Sequence, residues 1–336
     1  MSQVLKIDDN EYKPLVDYFL FRETFKNKAD MLTACIGIVS AFEGLHKKGL
    51  VFDHLDACDI CINPDTAEVI ISKGACITTE GVRLGMMGVS AYMAPEAILG
   101  QAPDRMTDLY SLAILLFRLM MGGQHPMRGT HLSDKDDDSV YGKDPVFLFD
   151  KEDDRNAPVP NMHKNVMLLW HQYPEYVHKM FLGFFGKEGI KNPASRPSLA
   201  EIIDTLVRLR GEMVGCPGCK EATVYLCEDE AVCPKCGTKV KAVCGLKTGD
   251  KSIKMTVGTT VYKCQLGGED DLYTPLFILL KNKEENIFGL GNMNSKEVMM
   301  VTYPCGTTRE IGYKKVAPMQ IGMKIGYGSL VCEIIA

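Results

Sequence analysis

Two cysteine pairs constrain one part of this chain more tightly than any other feature. Cys216-Pro217-Gly218-Cys219 is followed, after thirteen residues, by Cys233-Pro234-Lys235-Cys236. Each C-P-x-C turn is tight enough to aim two thiolates at one ion, and four thiolates at about 2.3 Å make a closed tetrahedral zinc site. The gap is slightly shorter than the usual ribbon spacing, yet it holds a hairpin with Thr223 to Leu226 as one strand. A redox C-x-x-C is the rival reading, but two matched pairs point to structural zinc on Cys216, Cys219, Cys233 and Cys236. Such a metal stabilises folding and does not catalyse. Cys58 and Cys61 also form C-x-x-C, but no second pair lies near them and Cys61 falls in a predicted strand. They are not read as ligands.

Outside this segment, composition limits the choices. The 336 residues leave room for two or three domains, and 46% hydrophobic with 24% charged residues is ordinary for a globular chain. The longest apolar run, Leu112 to Met121, is interrupted by Arg118 and is too short to cross a bilayer. The N-terminus lacks a basic-then-apolar secretion signal, so the expectation is a soluble, cytoplasmic protein with no membrane partner. A net charge of -5 and a pI near 5.9 disfavour nucleic acid. Acidic residues bunch at Asp134 to Asp138 and Asp150 to Asp154, as in solvated loops. Thirteen cysteines are an odd number. With Cys35, Cys76 and Cys332 in apolar contexts, they suit reduced core thiols in a reducing compartment.

Periodicity then divides the chain. A short helical candidate lies around Leu15 to Phe25. From Lys28 to Lys48, Leu32, Cys35, Val39, Phe42 and Leu45 fall on one helical face. Ile60 to Ile62 and Val69 to Ile71 flank the turn tetrad Asn63-Pro64-Asp65-Thr66 and predict a hairpin. A helix is expected from Thr107 to Met121. Between Gly122 and Pro160 comes a polar, Asp-rich insertion whose only apolar patch, Val146 to Phe149, is expected to be strapped to the surface. Helices follow at Val166 to Gln172, Pro174 to Phe185 and Ser198 to Met213. Ser198 with Glu201 forms a capping box for the last, and Ile202, Ile203, Leu206 and Leu209 give it one core-facing stripe. Trp170, the sole tryptophan, is read as core. After residue 245 come short alternating runs at Ile253 to Val257, Thr260 to Leu266, Leu276 to Leu280, Val298 to Tyr303, Arg309 to Tyr313 and Leu330 to Ile335. Gly and Asn punctuate them, including at Gly289 to Asn292, which predicts a small β-sandwich.

In order and spacing, GLVFDHLDACDICINPDTAEVIISKGACI, GVSAYMAPEAILG and TDLYSLAILLFRLMMGG resemble the large lobe of a eukaryotic-type Ser/Thr protein kinase. The resemblance implies a catalytic loop, a hairpin, a metal-binding turn, an Ala-Pro-Glu element at Met93 to Glu96 and a buried central helix. It also implies an ion pair between Glu96 and Arg196, the latter from Asn192-Pro193-Ala194-Ser195-Arg196-Pro197. Asp108 matches the acid that accepts backbone hydrogen bonds from the catalytic loop. Read without the resemblance, Asp108 is a helix-start acid favoured by the macrodipole. In active kinases the loop carries a proton-accepting Asp, a metal-binding Asn five residues later and a further metal-binding Asp after the hairpin. Here those positions hold His54, Asp59 and Lys73, or Ser72 if the hairpin is one residue shorter. An ammonium at Lys73 would repel a magnesium-phosphate complex. No G-x-G-x-x-G occurs, and residues 1–27 leave no room for a small lobe.

The end, APMQIGMKIGYGSLVCEI, and the middle, FGLGNMNS, are similar to the last strands of a forkhead-associated domain. Those domains take phosphothreonine through an Arg in an upstream loop, and Lys251 to Lys281 contains none. Lobe, ribbon and sandwich together look like the multidomain kinases of bacterial stress-response gene clusters, found beside von Willebrand A-type proteins and a protein phosphatase.

The expected architecture is therefore multidomain α+β. Residues 1–27 lead into a mainly α-helical kinase-like C-lobe at 28–213, followed by a four-Cys zinc ribbon at 214–244 and a small all-β sandwich at 245–336. The expected function is that of a pseudokinase scaffold or regulator holding structural zinc and not using ATP or Mg2+. Its partners would be proteins: a kinase, a phosphatase or a von Willebrand A-type protein. The alternative is a divergent kinase or nucleotidyl transferase whose Asp53, Asp56 and Asp59 hold metal. A zinc-ribbon nucleic-acid adaptor is a weaker third, set against the acidic balance.

Overall fold

The computed structural model describes residues 11–85, 88–130, 137, 139–220, 223–268, 271–282 and 284–336. The acidic run 134–138 lies outside them except for Asp137. The chain separates into two compact units, one running to Leu206 and one from Val207 to Ala336. No helix among the described residues is long and apolar enough to cross a membrane.

In the first unit, β1 (Lys13–Pro14) leads into α1 (Leu15–Phe19). This helix is shorter than the predicted Leu15 to Phe25, because Phe21 turns the backbone left-handed at φ 56°. Next comes α2 (Lys28–His46), started by Asn27, whose side chain accepts the Asp30 N–H. Four short strands follow: β2 (Leu50–His54), β3 (Ile60–Ile62), β4 (Val69–Ile71) and β5 (Cys76–Thr79). β3 pairs with β4 as the expected hairpin, and β2 pairs with β5. The Asn63 carboxamide shapes the hairpin turn by accepting from Asp65 and Thr66 N–H.

After α3 (Pro95–Ile98), α4 (Arg105–Met120) runs through the centre of the unit. It begins two residues before the predicted Thr107, because Asp104 and Thr107 cap each other reciprocally. From Thr107 to Phe117 every α4 residue is buried, the mark of a helix enclosed on all sides. Around Phe117 gather Phe181 at 5.1 Å between ring centroids, Phe147 at 5.7 Å and Phe185 at 5.9 Å. The outer helices are α5 (Lys164–Gln172), α6 (Glu175–Phe185) and α7 (Lys187–Lys191), and α8 (Leu199–Glu212) carries the chain across the boundary between the units.

One expectation is corrected here. Val146, Phe147 and Leu148 are not strapped to the surface; all three are buried, and Phe149 stacks on Trp170 at 4.4 Å. Burying each such side chain is worth about 1.5–3 kcal/mol, enough to draw a short apolar patch inward through a polar loop. Asn156 secures the loop, donating to the Val146 carbonyl and accepting from Gly129 N–H.

In the second unit, α8 is followed by two matched hairpins, β6 (Met213–Gly215) with β7 (Thr223–Tyr225) and β8 (Glu230–Val232) with β9 (Lys239–Lys241). Val214, Val224, Leu226 and Val240 form a small core behind them. Ten strands follow: β10 (Cys244–Thr248), β11 (Lys251–Met255), β12 (Thr260–Tyr262), β13 (Pro275–Lys281), β14 (Phe288–Asn292), β15 (Met299–Thr302), β16 (Thr308–Ile311), β17 (Val316–Pro318), β18 (Lys324–Tyr327) and β19 (Leu330–Ile335). They make two antiparallel sheets, ordered β11-β10-β19-β18-β15-β16 and β12-β13-β14-β17. Leu246, Ile325 and Ile334 of the first share one core with Phe277, Leu279 and Leu290 of the second.

Gly289 to Asn292, expected to be punctuation, is strand β14 instead. A Cβ at Gly289 would sit 2.6 Å from Val316 Cγ1, so the glycine permits close packing and marks no turn.

Candidate functional site

The loop from Gly49 to Thr79 is held from below by buried charge. Asp108, near the start of α4, is 2% exposed. Its Oδ1 accepts the Phe52 N–H at 3.1 Å, and its Oδ2 lies 2.9 Å from His46 Nε2. Burial pushes the Asp108 carboxyl up to about 6, against the hydrogen bonds from His46 and Phe52, which favour the charged form.

Glu96 and Arg196 meet as a two-point ion pair, at 2.5 Å for Nη1–Oε1 and 2.9 Å for Nη2–Oε2. The guanidinium is spread over further acceptors: Gly189 O at 2.9 Å and Met106 O at 2.8 Å. It also lies 4.9 Å from the Tyr110 ring centre. A buried pair so fully satisfied is strongly destabilised by loss of one partner, because the other charge remains in a low-dielectric setting. A third buried polar residue, His125, holds the segment before Glu96. Its Nε2 bonds Ala91 O at 2.6 Å, while Nδ1 accepts the Met127 N–H, so the ring is neutral with its proton on Nε2. Burial, aided by the nearby Arg118 and Arg128 and opposed by the hydrogen bond to Ala91, brings its pKa down to about 3.

His54, Asp59 and Lys73 are placed differently. His54 ends β2 with its side chain 16% exposed. A Cβ at Gly88 would lie 2.5 Å from His54 Cβ, so only glycine leaves His54 this position. Asp59 accepts the Asp56 N–H at 2.7 Å while Asp56 accepts from Cys58 N–H, so both carboxylates brace one turn. Burial raises the Asp59 pKa. The residue bonded across to Asp59 is Ser72, whose N–H donates to the Asp59 carbonyl at 2.7 Å. Lys73 stands exposed in the turn beyond.

The three acids considered as a rearranged metal site are not brought together as one. Asp56 and Asp59 are engaged with local backbone, whereas Asp53 is buried and accepts the Leu84 N–H at 3.1 Å. Sequence reasoning missed the pairing of His46 with Asp108 and the role of His125; neither lies in a motif, and only packing reveals them. It also placed Cys76 among core thiols, while the structure leaves that residue partly exposed at the start of β5.

In the second unit, Cys216, Cys219, Cys233 and Cys236 converge, with all four sulfurs within 4.8 Å of one another. Each knuckle closes with the same bond, Lys220 N–H to Cys216 O and Gly237 N–H to Cys233 O, both at 3.0 Å. The residue after each knuckle is left-handed, Lys220 at φ 62° and Gly237 at φ 70°. Thr238 lies 3.1 Å from the Cys236 sulfur, and hydrogen bonding to the thiolate draws that pKa down to about 6. Two near-identical turns, one thiolate already favoured and a small apolar core behind fit a group able to hold a metal ion.

No known family model matches the chain. It is similar to the cGMP-dependent protein kinase, isozyme 2, of Drosophila melanogaster, at 27% identity over 194 residues covering 52% of this chain and 20% of that protein. Against the Arabidopsis thaliana serine/threonine-protein kinase AtPK1/AtPK6 the identity is 35% over 113 residues, 33% of this chain and 23% of that one. The Caenorhabditis elegans serine/threonine-protein kinase unc-51 matches at 29% over 120 residues, 32% and 14% respectively. The chain spans roughly a fifth of the length of the curated relatives it matches first. Its distant relatives are thus protein kinases, and the likeness to them is partial.

Proposed function

We propose that this protein is a kinase-derived pseudoenzyme: a scaffold or regulator that works by binding a protein partner, with structural zinc in its four-Cys cluster. The observation that carries the reading is the loop from His54 to Lys73. Phosphoryl transfer by kinases relies on acidic and amide oxygens to hold magnesium on the phosphates. Here the corresponding positions present an imidazole, a carboxylate tied to backbone N–H, and a hydroxyl or an exposed ammonium. Beneath them Asp108 holds the loop by accepting the Phe52 N–H, and elsewhere in the same unit Glu96 and Arg196 remain paired. The shape is supported while the oxygen ligands are missing or engaged. A kinase, a phosphatase or a von Willebrand A-type protein is the partner class in keeping with the sequence resemblance, in a cytoplasmic, bacterial-type signalling system. The all-β part, forkhead-associated-like in its last strands, adds a second binding surface.

Titration with magnesium-ATP tests this directly. A bound ligand raises melting temperature by linkage, and no shift is expected. A metal-dependent rise that disappears in Asp59→Ala would replace the scaffold with an ATP-using enzyme. For the zinc, strong chelation or Cys216→Ser should unfold the knuckle region and release tightly held zinc. Unchanged melting and metal content would remove zinc from the reading.

A further inference from the structure

Strand β2 carries an irregularity whose consequence is chemical. Along the β2–β5 ladder Phe52 opposes Ile77 and His54 opposes Cys76, so Asp53 is the extra residue of a β-bulge. Neighbouring residues on a regular strand point to opposite faces. A bulge sets two residues against one on the partner strand and re-aims a side chain. Here it gathers Asp53, His54 and Cys76, whose ligand atoms all lie within 4.8 Å of one another.

Two further observations indicate that this cluster lacks something. His54 Nδ1 is buried and has no hydrogen-bond partner. The Asp53 side chain is only 2% exposed, and among the described residues the one basic side chain within ion-pair range of it is His54 itself, at 3.9 Å. A buried carboxylate without a cation is costly, and so is a buried ring nitrogen without a donor or a metal.

We propose that Asp53, His54 and Cys76 form an open site for a borderline transition-metal dication such as zinc or cobalt, distinct from the four-Cys cluster. Imidazole and thiolate donors suit that class of ion and not magnesium, which takes oxygen ligands. A carboxylate and a thiolate together balance the two charges of the ion. Tetrahedral ligands at about 2.0–2.3 Å from a metal sit about 3.3–3.8 Å apart, so the three side chains need close by only about 1 Å. Because His54 and Cys76 are partly exposed, a fourth position stays open to water. Gly88 leaves the room that the imidazole occupies, since a Cβ there would lie 2.5 Å from His54 Cβ. The proposal does not depend on the scaffold reading, since it concerns a metal bound without nucleotide.

The test is cobalt titration of the full-length, metal-stripped, reduced protein, followed by thiolate-to-cobalt charge transfer, d–d absorption and stoichiometry. Wild type should take two equivalents, one with the spectrum of four thiolates and one with that of a single thiolate. Cys76→Ser and His54→Ala should each lose the single-thiolate equivalent or weaken it at least tenfold, with the four-thiolate spectrum intact as an internal sign of folding. A Cys216→Ser/Cys219→Ser variant should keep the single-thiolate spectrum. Uptake of one equivalent by wild type would overturn the proposal. So would two equivalents in both Cys76→Ser and His54→Ala with unchanged affinity.

Discussion

The underside of the loop and its outer face are built by opposite rules. Underneath, Asp108 accepts from Phe52, and elsewhere in the same unit Arg196 grips Glu96 while also bonding two carbonyls. On the face, Asp53 is buried without a matching cation among the described residues, His54 has an unpartnered nitrogen, and Lys73 projects into solvent. Support of a backbone shape and presentation of a particular chemistry are separable properties. A loop can keep the first while its side chains are exchanged.

The sharpest way to break this contrast is to remove a support. Arg196→Ala should destabilise the first unit by about 3–5 kcal/mol, because Glu96 would remain in the interior without its counter-charge. Urea denaturation would measure it, and a loss below about 1 kcal/mol would mean that the pair is no framework element.

A smaller effect should come from His125. Its folded pKa is about 3, below the ordinary value near 6.5. Between those values the unfolded chain binds a proton that the folded chain refuses. The neutral ring's contribution is therefore complete above about pH 6.5 and declines as pH falls towards 3, by about 2 kcal/mol from pH 7 to 5. The melting profile of His125→Gln against pH should be flatter than wild type over that range; parallel profiles would assign the acid sensitivity elsewhere.

The least effect should follow Asp59→Asn. The amide oxygen can still accept the Asp56 N–H, so a change within about 0.5 kcal/mol is expected. A loss of several degrees in melting temperature would show that the charge on the loop face is structural.

Much of this was legible in the chain. Helix α2 and the β3–β4 hairpin follow from periodicity and from the Asn63-Pro64-Asp65-Thr66 turn, and the capping box at Ser198 is seen in the Ser198 N–H to Glu201 bond at 2.8 Å. The four cysteines were readable from spacing, because two tight turns dictate where their thiols point. Val146 to Phe149 was misread because a single apolar patch in a polar loop carries no period, and only the aromatic cluster around Phe117 and Trp170 determines that it turns inward. Strand β14 was misread because Gly289 signals a turn locally, whereas its small size is used against Val316.

The sequence by itself determined most of the local elements, the cysteine knuckles and the residue types at positions 54, 59 and 73, since these depend on spacing and side-chain chemistry within a few residues. Only the tertiary structure decided which distant charges neutralise one another and which residues a bulge gathers. His46 reaches Asp108 across 62 positions, and Arg196 reaches Glu96 across 100. Cys76 meets Asp53 and His54 through one unpaired residue in a strand. Such meetings depend on how elements pack and where a ladder slips, and neither quantity is written in the order of residues alone.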